Sequence, residues 1–392
     1  MNILVLSFYY QPDLSAGSFR TTALVKALRE QLPADAHIDV VTTLPNRYHT
    51  FSSEASELES GDALDIHRIK LSSHKSGMLD QVNAFIHFAK KVLVYTSLRR
   101  YDLVYATSGR LMTASLGAVV ARRQKTKLYL DIRDIFVDTI KDILPLKSSS
   151  LISPLFSLIE HWTIGRADKV NLVSRGFKPY FDARYPTQKF SYFTNGIDDE
   201  FISVAIKSSQ SMVKAEPVSV LYAGNIGEGQ GLDVIVPALA QRMAGRINFK
   251  LIGDGGRKAA LKLALEKSGV NNVELLSPVK RDQLIQAYQS ADVLFLHLND
   301  YDAFKKVLPS KLFEYAAMGK PIWAGVSGYA ADFVKSEISN AAVFCPCDSL
   351  GAEKVFSSLA MVDMKRQGFV DKFTRTNIMK EMATDVLSLI QK

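Results

Sequence analysis

Cysteine is almost missing from this chain, with only Cys345 and Cys347 among 392 residues. A disulfide framework is thereby excluded, and a reducing cytosol fits best. The pair has CxC spacing and no second Cys or His pair to complete a zinc site. Long apolar runs are missing too: none nears the ~18 residues of a membrane span, so any membrane contact is expected to be peripheral. The opening Met1-Asn2-Ile3-Leu4-Val5-Leu6-Ser7 has no basic segment ahead of it and runs at once into Tyr9, Tyr10 and Pro12. It reads as a first strand and not as a signal peptide. Neither GxxxxGK[ST] nor GxGxxG occurs, which counts against a P-loop NTPase and a nicotinamide enzyme. Internal repeats and low-complexity tracts are not evident.

Hydrophobic residues make up 47% of the chain and charged residues 22%, the balance of a soluble globular protein. The length suits two or three domains. Short apolar runs alternate with helix-period segments twice over, as in βα units around a parallel sheet. In the first half the strands are expected at 3–7, 38–42, 64–69, 103–106, 128–132, 170–173 and 190–193. In the second they fall at 218–222, 249–252, 273–276, 293–296, 321–324 and 342–344. Apolar periodicity fades in between, and the polar Lys207-Ser-Ser-Gln-Ser ends in Ala215-Glu216-Pro217. The expected division is a domain over 1–198, a linker over 199–217, a second domain over 218–373 and an amphipathic helix over 374–392.

Forty-eight Lys and Arg against forty Asp and Glu give a formal charge of +8, which suits an anionic partner. Between Lys70 and Lys127 there are eleven basic residues but only Asp80 and Asp102 as acids. Apolar Val82, Phe85, Ile86, Phe88, Val92 and Leu93 are interleaved with them. Such a segment can lie on an anionic bilayer surface, although helix packing alone would explain its apolar positions. No nucleic-acid motif is present, and nucleic acid is not expected as a partner.

Three segments carry chemistry. The first βα loop places small Ser15, Ala16, Gly17 and Ser18 where a helix opens, so backbone N–H groups can approach an anion. After the first strand of the second half, Gly224, Gly227, Gly229 and Gly231 surround Asn225, and Ile252-Gly253-Asp-Gly-Gly follows the next strand. Backbone amides there can line a phosphate without obstruction. Later comes Val307-Leu-Pro-Ser310-Lys311-Leu-Phe-Glu314-Tyr. Pro309 suits a first helical turn, and Glu314 falls one turn beyond Ser310 and Lys311. An ammonium with amides can hold a pyrophosphate, while a carboxylate one turn along can accept both hydroxyls of a ribose.

With these motifs the chain resembles the GT-B glycosyltransferases of family 4, particularly bacterial enzymes of O-antigen and capsule synthesis such as N-acetylfucosamine transferases. The likeness rests on Pro309-Ser-Lys-Leu-Phe-Glu-Tyr, on Tyr222-Ala-Gly-Asn-Ile-Gly and Ile252-Gly-Asp-Gly, and on Asp131-Ile-Arg-Asp134, Val173-Ser174 and Asn195-Gly-Ile-Asp198. It implies two Rossmann-like domains facing a central cleft, with a C-terminal helix crossing back to the first. It also implies a retaining, metal-independent transfer from a UDP-linked nucleotide-sugar, an N-acetylated deoxyhexose being one candidate sugar, to a lipid-linked or oligosaccharide acceptor at the inner face of the cytoplasmic membrane. No cofactor is implied, since the nucleotide-sugar is a substrate. By position, Glu314 would bind ribose, Ser310 and Lys311 the pyrophosphate, Gly224, Asn225 and Gly227 the phosphates, with Gly253 and Lys306 beside them and Gly17 reaching the donor phosphate. Asp131, Arg133 and Asp134 would face the acceptor or the transferred sugar.

The chain departs from the family in three places. Where many members carry a glutamate eight positions before Glu314, this sequence has Lys306, and where they carry Arg and Lys it has Asn225 and Gln230. The Asp131–Asp134 segment stands where relatives place a His. Protein cations would neutralise the pyrophosphate, and no DxD carboxylate pair stands out as a metal site. A UDP-sugar epimerase of the same architecture and a non-catalytic transferase-like subunit are the competing readings.

Overall fold

The computed structural model describes residues 1–13, 15–45, 55–71, 78–108, 111–138, 146–204 and 217–391, with only the backbone for 78–81 and 146–152. It divides into two compact units. One joins Met1–Asn195 to Arg375–Lys392, and the other is Gly196–Thr374. The expected linker over 199–217 lies largely outside the described residues, at 205–216. Its first part, Asp199–Ile202, forms a short helix in the second unit.

The first unit holds strands β1 (Asn2–Leu6), β2 (His37–Thr43), β3 (Leu58–Gly61), β4 (Leu64–Ile69), β5 (Leu103–Thr107), β6 (Lys127–Ile132), β7 (Lys169–Leu172) and β8 (Phe190–Ser191). Their spatial order is β3-β4-β2-β1-β5-β6-β7-β8. All neighbours are parallel except β3 against β4. Leu103–Thr107 is buried throughout, as a parallel strand covered on both faces requires. Strand β3 is not foreshadowed by any pattern, because its four residues Leu58-Glu-Ser-Gly are all exposed and show no apolar alternation.

Helix α1 (Ala16–Gln31) begins at Ser15, whose hydroxyl accepts the Ser18 N–H at 3.1 Å. The C-terminal helix Arg375–Leu387 packs in this same unit, where Gln31 donates to Lys380 O at 2.8 Å. Its Ile378, Met379, Met382, Val386 and Leu387 form the buried face. The tail is thus part of the first unit, as a helix crossing back would be.

In the second unit the strands are β9 (Val218–Asn225), β10 (Ile247–Asp254), β11 (Val273–Leu276), β12 (Val293–His297), β13 (Ile322–Gly325) and β14 (Ala341–Phe344). They lie in the order β11-β10-β9-β12-β13-β14, all parallel, which is the doubly wound arrangement. Fully buried Trp323 packs among Phe249, Phe295 and Phe344 in the core. The strand order reverses between β9 and β12, so the loops after these two strands open at the switch point where such sheets bind ligands. Register sets Gly253 beside Gly224 at the ends of β10 and β9.

Candidate functional site

The second unit brings most of the expected donor residues together. Gly224, next to last in β9, has φ +147°, and a Cβ placed on it would stand 2.0 Å from Lys311 Nζ. Lys311 opens the helix Lys311–Ala317, and its ammonium lies 5.5 Å from the centre of the Tyr222 ring. Tyr222 in turn donates to Asn225 O at 2.5 Å. A Cβ on Gly253 would fall 1.9 Å from Gly224 O, so glycine at both positions lets the two strand ends meet. Ammonium and loop backbone thus converge at the ends of β9 and β10.

One turn along, Glu314 accepts the Tyr288 hydroxyl at 3.1 Å. Tyr288 is buried, and burial together with the Glu314 charge pushes its hydroxyl far above the ordinary tyrosine range. Ser310 precedes the helix without a side-chain capping bond. At the far end Arg366, buried, donates to Ala316 O in the last turn at 3.1 Å and to Lys320 O just past the helix at 2.9 Å, tying the helix end to the segment that follows it. Lys306 is half-buried at the end of the short 3₁₀ turn Asp302–Lys306.

Asn225 and Gln230 bond to each other. Gln230 Oε1 accepts from Asn225 Nδ2 at 2.8 Å and from Gly227 N–H at 3.2 Å. The two neutral side chains therefore close the 224–231 loop on itself, and one of its amides is engaged by a carboxamide oxygen. Beneath the loop, Gly229 O accepts from Asn299 N–H at 2.9 Å, Glu228 O from Asn299 Nδ2 at 3.0 Å, and the Glu228 carboxylate from Tyr301 at 2.7 Å. His297 completes this floor. Sequence reasoning missed Tyr288, His297, Asn299 and Tyr301 because each acts through a tertiary contact and none belongs to a recognisable local motif.

The segment Asp300-Tyr301-Asp302 does have DxD spacing, contrary to the sequence reading. Asp302 is exposed and paired with Lys305 at 2.6 Å, which holds its carboxyl below the ordinary value. Among the described residues, one group of three His, Cys, Asp or Glu comes within ligating range: His37, Asp39 and Asp65 in the first unit. There Asp39 is already bonded by Tyr101 at 2.6 Å and lies 3.5 Å from Arg99.

In the first unit Asp131 is fully buried. Arg20 grips it through two bonds of 2.7 and 3.0 Å, Tyr105 donates at 2.9 Å and Asn171 at 2.7 Å. Burial alone would raise its carboxyl, but the Arg20 charge and these bonds outweigh it and hold the group below the ordinary value. Arg20 also donates to Phe193 O at 2.8 Å and Thr194 O at 2.7 Å. Asp131 is therefore an internal anchor, and the expectation that it faces a substrate is corrected: its oxygens are committed within the fold.

Arg133 and Asp134 stand differently. Asp134 is exposed, and Arg133 is half-buried with its backbone N–H on Ser108 Oγ at 3.0 Å. Arg133 Nη1 lies 2.1 Å from where a Cβ on Gly17 would be, and its buried Nε has no hydrogen-bond partner among the described residues. Burial lowers the pKa of this guanidinium, with Asp131 and Asp134 opposing the effect. A cation over the small-residue opening of α1 is an arrangement that can receive an anion.

This architecture is that of the GT-B glycosyltransferases, and residues 205–357 match the family model of glycosyl transferases group 1. A stretch of 100 residues is 33% identical to a putative colanic acid biosynthesis glycosyl transferase, WcaI, of Escherichia coli; it covers 26% of this chain and 24% of that protein. The match thus spans about a quarter of that relative. Among solved structures, sucrose-phosphate synthase from Thermosynechococcus elongatus superposes with a TM-score of 0.75 at 14% identity over 99% of both chains. Anabaena HepE, solved with UDP and glucose, gives 0.66 at 18% over 99% of both. The lipopolysaccharide glycosyltransferase WaaG gives 0.62 at 16%, over 99% of this chain and 97% of its own.

Proposed function

We propose that the chain is a retaining glycosyltransferase that takes a sugar, an N-acetylated deoxyhexose being one candidate, from a UDP-linked donor and passes it to a lipid-linked or oligosaccharide acceptor of a surface polysaccharide. The observation that carries this reading is the convergence of Lys311 Nζ on Gly224 with Glu314 one turn away. The colanic acid relative and the UDP complex of HepE support it. As the glycosidic bond breaks, negative charge grows on the leaving diphosphate. Lys311 and the amides of the 224–227 loop are preorganised to stabilise it, which is usually the largest catalytic contribution. Lys311 and these amides are what would stabilise that charge in a transfer without a metal. Glu314, oriented by Tyr288, accepts the ribose hydroxyls. In the family the chain resembles, the acceptor attacks from the face the leaving group departs, and a donor phosphate oxygen takes its proton. Arg133 and Asp134 are the groups assigned to the acceptor side.

Calorimetry with UDP, GDP, UDP-N-acetylglucosamine and UDP-N-acetylfucosamine tests the donor site. UDP is expected to bind and GDP to bind more weakly. If no nucleotide bound, the catalytic reading would fail and a partner-binding role would replace it.

A second part of the proposal concerns the bilayer. Helix α2 (Met78–Ser97) buries Ala84, Phe88, Val92 and Thr96 while Val82, Ile86, Val94 and, just past its end, Leu98 are 50%, 46%, 64% and 80% exposed. These positions follow a four-residue period, and exposed Lys90, Lys91, Arg99 and Arg100 accompany them. An apolar stripe with basic neighbours fits the inner face of an anionic membrane. Part of the Lys70–Lys127 region, at 72–77 and 109–110, lies outside the described residues. No helix among the described residues is long and apolar enough to cross a membrane. Changing Lys90, Lys91, Arg99 and Arg100 to Glu is expected to abolish co-sedimentation with phosphatidylglycerol vesicles. Undiminished sedimentation would remove the membrane proposal and leave the donor site untouched.

A further inference from the structure

His297 ends β12 fully buried, and no charged group is bonded to it. Its two ring nitrogens have different partners. Nδ1 lies 2.7 Å from Gln230 O, and Nε2 lies 2.9 Å from the backbone N of Cys347. A carbonyl oxygen can only accept and a backbone N–H can only donate, so the proton must sit on Nδ1 and the lone pair on Nε2. One tautomer satisfies both bonds. A second proton would set an N–H against the Cys347 N–H, and the opposite tautomer would lose both bonds.

The ring cannot drift from this pose. A Cβ on Gly325 would fall 2.3 Å from its Cδ2, and the ring stacks against Phe295 and Phe344 at centroid distances of 6.2 and 6.0 Å. Cys347 is held at φ +61° in the turn after β14. Gln230, at the other end of the bridge, is the residue whose side chain engages the Gly227 amide and Asn225.

We infer that His297 is a positioning residue for the phosphate loop: its Nδ1–H fixes the Gln230 carbonyl, and with it the geometry of Gly227, Asn225 and the Gln230 carboxamide, while the Cys347 amide fixes the ring. His297 does not touch the donor. This role rests on the nucleotide reading of the second unit. Because Asn225 and Gln230 are neutral and bond to each other, what the loop itself offers an anion depends on backbone placement, and the group that sets that placement gains weight.

Two substitutions separate the bridge from mere filling of space. In His297→Asn the amide nitrogen stands near the Nδ1 position and can still donate to Gln230 O, whereas in His297→Gln the amide reaches the Nε2 position and leaves Gln230 O without its donor. UDP calorimetry should show His297→Gln weakened roughly tenfold, the value of one lost bond of about 1.4 kcal/mol. His297→Asn should stay within about threefold of wild type even if both variants melt at similarly lowered temperatures. In the wild-type protein, one-bond ¹⁵N–¹H couplings should place the imidazole proton on Nδ1. Equal weakening of the two variants, or a proton found on Nε2, would overturn the role. If the wild type itself bound no UDP, the nucleotide reading would fall and this role with it, whereas wild-type binding with unaffected variants would sink the role alone.

Discussion

Lys311 Nζ occupies the space where a side chain on Gly224 would begin, 2.0 Å from the ideal Cβ position. Gly224 also has φ +147°, a conformation that L side chains rarely adopt. Gly224→Ala is therefore expected to displace the ammonium and strain the loop together. Thermal melting should show a loss of about 1–3 kcal/mol, and UDP affinity should fall by at least about tenfold. Unchanged affinity in the folded variant would mean that Lys311 does not serve the diphosphate.

Asp131 and Asp134 lie three residues apart and are expected to respond oppositely. Asp131→Asn leaves the buried Arg20 guanidinium without its counter-charge, at a cost of about 3–5 kcal/mol. Asp134→Asn, at an exposed position, should alter stability by less than about 0.5 kcal/mol while lowering transfer to the acceptor. Denaturant melts combined with a transfer assay check both. The Asp131 pair also has a defined pH window. Its folded pKa lies below the ordinary value, so its stabilisation is complete above the carboxylate range and is lost as pH falls through the lower, folded value.

His297 has a dependence of the same sign, in a higher window. Burial pulls its pKa down from 6.5 to about 4, with the Gln230 carbonyl opposing the shift. Between these values the unfolded chain takes up a proton that the folded chain refuses, so stability falls as pH drops from about 6.5 to 4 and levels off below that. The expected loss is about 3 kcal/mol. Subtracting the stability profile of His297→Gln from that of the wild type isolates this contribution. A flat difference would show that the ring titrates normally in the folded protein.

Gln230→Lys puts a cation where Gln230 Oε1 now engages Gly227 and Asn225. A charge-assisted bond to a phosphate is worth about 1.5–3 kcal/mol, so UDP should bind roughly tenfold or more tightly. The gain should fall at high salt because the interaction is ionic. Weaker binding would mean that the bonds the Gln230 carboxamide makes to Gly227 and Asn225 matter more to the site than an added charge.

The parallel strands were legible because burial on both faces writes them as short apolar runs, as in Leu103–Thr107, and the tail helix because Ile378, Met382 and Val386 repeat at helical spacing. The exposed strand Leu58–Gly61 leaves no such mark. At the site, Gly224, Lys311 and Glu314 could be found from local spacing. Tyr288 and His297 could not, since their partners Glu314, Gln230 and Cys347 are 26, 67 and 50 residues distant. Asp131 was misread for the same reason. A carboxylate after a strand looks catalytic until Arg20, 111 residues away, is seen to hold it.

The donor site is tested most directly by UDP calorimetry on the wild type and on Glu314→Ala in parallel. Saturable binding in the wild type, weakened about ten- to a hundredfold by loss of the charged hydrogen-bond acceptor, is the predicted result. Absence of UDP binding in the wild type, or equal binding in the two proteins, would contradict the account.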